Sequence, residues 1–191
     1  LRPLLIDNEE SLKSLDKIRD GFSTAMNQEM EHMWAKKLGL ITYDASLVNE
    51  MLQLMVHSKV DYTIFFRKLS NIPSTLTEIK GSFYTTSSEE VDHKWIGWLQ
   101  RWREHITNRS DHRELSAKMK LINPKYTWRE WLIAPAYEKA EQGDYSLIKE
   151  LQTVLANPYE KQSLELDKKY DRLKPKKFFN TGGISHYSCS S

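Results

Sequence analysis

Residues 121–143 read Leu-Ile-Asn-Pro-Lys-Tyr-Thr-Trp-Arg-Glu-Trp-Leu-Ile-Ala-Pro-Ala-Tyr-Glu-Lys-Ala-Glu-Gln-Gly, and this stretch decides the fold class. Pro124 has no backbone N–H and pushes Asn123 out of the helical region, so a helix arriving from upstream ends by Ile122. Thr127 is placed to cap a new helix. Trp128, Trp131, Leu132 and Ala136 then recur at steps of three and four, as one helix face does. Gly143 suits a left-handed stop and Asp144 a cap for the next helix. The stretch is a turn between packed helices and carries no chemistry of its own.

The same period runs upstream. Leu12, Leu15, Ile18, Phe22, Met26, Met30, Met33 and Trp34 predict a long amphipathic helix over 9–38. Gly39 stops it, and Lys36 and Lys37 suit the negative end of its dipole. Asp44 can cap a helix carrying Leu47, Val48, Met51, Leu52 and Met55, and Asp61 a short one through Ile64, Phe65 and Leu69. Residues 71–86, with Pro73, Gly81 and several Ser and Thr, read as a loop. Ser87 and Glu90 form a capping-box pair. The helix they open carries Val91, Trp95, Trp98, Leu99, Trp102 and Ile106 on one stripe, and another from Asp111 carries Leu115, Met119 and Ile122. Downstream, Leu147, Leu151, Val154 and Leu155 make a last helix, closed by Asn157-Pro158. The expected fold is all-α, an irregular bundle of about six to seven helices over 1–158, with an extended tail over 159–191.

Composition narrows the function. The chain has 191 residues, a net charge of +2 and 28% charged residues, so it makes no whole-chain case for nucleic acid or an anionic membrane. No run approaches the roughly 18 apolar residues of a membrane span. Cys189 is the only cysteine, which excludes an internal disulfide and a cysteine-built metal site. The first residues hold neither an initiator Met nor a signal-peptide pattern, and the chain is expected to be part of a longer one.

Several apparent motifs dissolve on inspection. His112-Arg113-Glu114-Leu115 imitates a kinase catalytic loop, but Glu stands at the base position, Met119 where Asn is needed, and no Asp-Phe-Gly follows. A solvated helix start explains it better. Trp95, Trp98 and Trp102 are spaced as a core face rather than a base-stacking platform. The methionines of the first helix read as core rather than a cofactor box. The six histidines show no metal-ligand spacing. The lysines of 168–177 read as a solvated tail, or a strap across a partner domain, in preference to an anion-binding patch. Cys189, third from the end among serines, is accessible to redox exchange, although nothing near it in sequence lowers its pKa, and by its residues alone a terminal cysteine without a role is an equal reading.

Lys37-Leu38-Gly39-Leu40, then Asp61-Tyr62-Thr63-Ile64-Phe65-Phe66-Arg67-Lys68-Leu69, then residues 98–103 recur in a fixed order with Asn123-Pro124-Lys125-Tyr126, Gly143-Asp144-Tyr145, Asn157-Pro158-Tyr159 and the terminal Cys189-Ser190-Ser191. In this order and these residues the chain resembles the C-terminal part of the SelO family, with Pro135 a departure inside the helix after the Asn-Pro-Lys-Tyr turn. The resemblance implies a C-terminal extension of a kinase-like fold, a pseudokinase that transfers AMP from ATP, with Mg2+ or Mn2+, to Ser, Thr or Tyr hydroxyls of protein substrates. It places the nucleotide and metal residues upstream, so no catalytic, cofactor-binding or metal residue is assigned here, and this chain alone is expected to be inactive and to bind no cofactor. Its partner would be the kinase-like domain of the same chain. Cys189 would be a redox residue pairing with a cysteine elsewhere in the protein. The resemblance implies a mitochondrial location in a eukaryote and a cytoplasmic one in a bacterium. The competing expectation is a free-standing helical protein-interaction module.

Overall fold

The computed structural model describes residues 4, 8–107 and 111–180. Among them are nine α-helices and no strand: α1 Glu9–Leu38, α2 Ala45–His57, α3 Tyr62–Leu69, α4 Thr77–Lys80, α5 Glu89–Thr107, α6 His112–Ile122, α7 Glu130–Glu141, α8 Ser146–Ala156 and α9 Leu164–Tyr170. The all-α irregular bundle is as expected. The two additional helices, α4 and α9, are too short to show a period. α4 lies inside the stretch read as a loop, where the Glu78 carboxylate accepts from the backbone of Ser74 and Thr75 and Ile79 is fully buried. α9 lies in the stretch read as an extended tail, capped by Ser163 and anchored by the buried Tyr170.

Two apolar clusters organise the helices. The larger is built from the end of α1 and from α2 to α6, centred on the α5 stripe, where Trp95, Trp98 and Trp102 have no exposed surface. A buried indole N–H needs an acceptor. Trp95 donates to Ser58 Oγ at 2.9 Å, Trp98 to the Leu47 carbonyl at 2.9 Å and Trp102 to the Leu38 carbonyl at 2.8 Å. Each tryptophan thus locks the end of another helix, which settles their role as core. Gly39 has φ +69°, and a Cβ there would stand 2.7 Å from the Met119 sulfur, so the turn after α1 lets α6 pack close. The smaller cluster holds Tyr126, Ala136, Leu151, Val154 and Tyr170, from α7 to α9 and the turn before them.

Some local expectations shift. α7 begins at Glu130 behind an extended Arg129 with no side-chain cap, so Thr127 does not cap it, and Trp128 is exposed rather than on its buried face. The reason is tertiary: the Lys125 and Tyr126 N–H groups donate to the Pro158 carbonyl and hold this segment extended. Ser88, not Ser87, precedes α5, because the Ser87 hydroxyl donates to Asp92 instead. The Asp144 carboxylate accepts from Ser146 N at 2.9 Å, one residue ahead of the usual capping position, since Tyr145 is the residue before α8. Gly143 is left-handed as expected, at φ +82°.

α1 departs most. Its last turn packs on α3 and α6, but residues 17–32 are exposed throughout, so Ile18, Phe22, Met26 and Met30 do not belong to this chain's core. Lys36 and Lys37 stand in the last turn of α1 as expected, and Lys37 is in addition buried. His112-Arg113-Glu114-Leu115 opens α6 as a solvated helix start, with Glu114 paired to Lys118 one turn on.

Candidate functional site

Where the two clusters meet, the buried contacts turn polar. Asn123 ends α6, has no exposed surface, and uses its whole side chain. Its Oδ1 accepts from Lys37 Nζ at 2.9 Å, while its Nδ2 donates to the Lys37 carbonyl at 2.8 Å and to Ser70 Oγ at 3.0 Å. The Lys37 ammonium also lies over the Phe66 ring, 4.4 Å from its centroid. Burial pulls this lysine down to about 8, because no carboxylate offsets the loss of water.

The second strut is an ion pair. Asp61 caps α3 through Ile64 N at 3.0 Å and accepts from the Tyr84 hydroxyl at 2.8 Å. Arg129 closes on it as a fork, with N–O distances of 2.6 and 3.0 Å. Both partners are nearly buried, and the bond ties the start of α7 to the start of α3. Arg67, from α3, donates to the carbonyls of Lys120 and Asn123 on one side and of Tyr159 on the other. Lys125 pairs with Asp167 at 2.6 Å and Asp171 at 3.5 Å, which holds α9 against the turn. Tyr126 donates its hydroxyl to Asp167, and burial together with that bond raises its pKa.

A cleft opens along this seam. It has a volume of about 850 Å³ and is lined by Arg67, Lys68, Lys120, Lys125, Lys161 and Arg172, with Asp171 as its one carboxylate and Ile64 and Leu173 as apolar wall. Desolvation lowers the pKa of both Arg67 and Lys120, and the positive charge of Arg67 adds to the effect on Lys120. Desolvation raises that of Asp171. Part of the stretch read as a solvated tail or strap packs inside the chain, where the Lys169 ammonium pairs with Glu150. Lys174 N donates to the Tyr84 hydroxyl, Phe179 packs edge-on to Tyr84, and the Arg172 guanidinium covers Trp131.

Among the described residues no three His, Cys, Asp or Glu side chains converge as a metal ion requires. They do not fit a divalent metal. Cys189 lies outside the described residues. The motif residues Lys37, Asp61, Arg67, Asn123, Lys125, Tyr126, Pro158 and Tyr159 do come together, although they stand far apart in sequence. Arg129 and Lys120 were not expected at the seam. Arg129 is partly legible as an arginine just ahead of an apolar period, but its partner is not.

Residues 3–156 match the family model described as Protein adenylyltransferase SelO. The chain is 32% identical, over 99% of its length and 37% of the relative's, to Protein nucleotidyltransferase YdiU of Flavobacterium johnsoniae. It is 29% identical to the protein of the same name from Aromatoleum aromaticum, over 90% of the chain and 34% of that protein. The YdiU protein of Vibrio atlanticus is 35% identical over 76% of the chain and 30% of its own length. The chain thus spans about a third of the length of the curated relatives it matches.

Proposed function

We propose that this chain, which belongs to the SelO family, is the helical C-terminal part of a protein adenylyltransferase and works as a buttress with no catalytic residue of its own. One observation carries the reading. Ile18, Phe22, Met26 and Met30 lie at steps of four along α1 and are 69%, 60%, 48% and 44% exposed. A bare helix gains little from its own backbone, since tertiary packing supplies most helical stability in proteins. Covering side chains of this size contributes roughly 1.5–3 kcal/mol each. The remaining two thirds of the relatives' length is the natural source of that cover.

In the parent protein, a kinase-like domain upstream would hold ATP and a divalent metal and transfer AMP to hydroxyls of protein substrates, a task of positioning and charge neutralisation. No residue of this chain is assigned to that step. The seam would keep the two apolar clusters rigid beneath that domain. Cys189 would form a disulfide with a cysteine upstream, the two thiols giving two electrons and two protons to a disulfide oxidant. The location that accords with bacterial relatives is the cytoplasm, and the mitochondrial expectation has no support from them.

The test is transfer of labelled AMP from ATP by the full-length protein, by this chain, and by full-length Cys189→Ser. Transfer is expected from both full-length proteins and not from this chain, with the response to oxidants lost in Cys189→Ser. Transfer by this chain alone would overturn the reading, and no transfer by either would favour an interaction module.

A further inference from the structure

The seam cleft has a charge pattern that the packing of the chain does not use. Of its six cationic side chains, Lys125 is spent on Asp167 and Asp171. Lys68, Lys120 and Lys161 pair with no carboxylate among the described residues, and Lys161 only senses Asp167 at a distance. Arg67 gives three of its five N–H donors to carbonyls, which leaves two. Arg172 donates its Nε to the Lys169 carbonyl and holds its guanidinium carbon 5.3 Å from the centroid of the Trp131 ring. Such a cluster is self-repelling. The lowered pKa of Lys120 beside Arg67 reflects that repulsion as well as burial.

One wall is shaped around a cation. A Cβ on Gly81 would stand 3.1 Å from both Cε and Nζ of Lys68, so the missing side chain gives that ammonium its place at the cleft. Gly81 has an ordinary φ of −64°, so space and not backbone conformation is what the glycine supplies. Other lining residues come from the end of α6 and from 171–173, so elements far apart in sequence bring their charges to one hollow.

We propose that this cleft binds a small anion bearing two or more linked phosphoryl groups. A hollow of about 850 Å³ suits a small molecule, not a strand or a helix. Several cations without carboxylate partners, lining one hollow, call for a multiply charged ligand. Arginine N–H forks and lysine ammonium groups match phosphoryl oxygens, through charge-assisted hydrogen bonds that gain strength away from water. The proposal rests on the cleft residues of this chain alone, so its test is read independently of AMP transfer.

The probe is inorganic tripolyphosphate, titrated calorimetrically into the protein, with orthophosphate and a single-stranded oligonucleotide as comparisons. Saturable one-to-one binding is expected, tighter for tripolyphosphate than for orthophosphate. Lys68→Glu and Lys120→Glu should each weaken it about tenfold or more, while Lys94→Glu, on α5 away from the cleft, leaves it unchanged. Lys68→Gln and Lys120→Gln, which add no like-for-opposite charge, should weaken it less, and circular dichroism checks that all variants fold. No saturable binding, equal binding by the cleft variants, or a preference for the oligonucleotide would each overturn the proposal.

Discussion

α1 and α5 carry the same signature, apolar residues every three or four positions over several turns, yet they meet opposite fates. The α5 stripe is sealed, with Trp95, Trp98 and Trp102 fully buried and their indoles bonded to other helices. The α1 stripe lies open from residue 17 to 32. Periodicity states that a face must be covered; it does not state what covers it. The difference between the two helices is the difference between a core completed within the chain and one that awaits a neighbour.

The largest effect that can sharpen this comparison is truncation on each stripe. Trp98→Ala should cost about 3–5 kcal/mol, read by denaturant unfolding of this chain. Phe22→Ala should change the same measurement by no more than about 0.5 kcal/mol. Equal costs would mean that α1 is packed within the chain after all.

Next comes the seam that joins the clusters. Arg129→Ala leaves the Asp61 carboxylate buried with only Tyr84 and a backbone N–H for company, and should cost about 3–5 kcal/mol. Arg129→Lys keeps the charge but loses the fork, and should recover part of the loss.

Lys37 supplies a smaller, pH-dependent effect. Its folded pKa is lowered to about 8 from 10.5, so between those values the unfolded chain binds more protons than the folded one. Stability should therefore rise with pH through that window, by up to about 3 kcal/mol, and stay level below it with respect to this group. Lys37→Met should lack that rise relative to the parent chain, whatever its absolute stability. Smallest is Gly39→Ala, where a left-handed alanine costs about 1–2 kcal/mol before any shift of Met119 is counted.

Much of this was legible from residues alone. The caps at Asp44 and Asp61, the helix start near Asp111, the stop at Gly39 and the tryptophan stripe follow from local rules, and each has its expected place. α4 and α9 escaped because helices of four and seven residues show too little of a period. The entry to α7 escaped because the Pro158 carbonyl and Asp61, distant in sequence, set it in place of Thr127. The seam escaped for the same reason. Lys37 and Asn123 stand 86 residues apart, and nothing local marks a lysine at a helix end as buried. The cleft charges come from α3, α6, the turn after α6 and the tail, so only the fold assembles them.

Hydrogen–deuterium exchange across residues 17–32, compared between this chain and the full-length protein, tests the buttress most directly. The amides of this segment should exchange fast in the chain alone and become strongly protected in the full-length protein, while the α5 amides are protected in both. Equal, fast exchange of 17–32 in the two proteins would contradict it, for the open stripe would then have no cover to wait for.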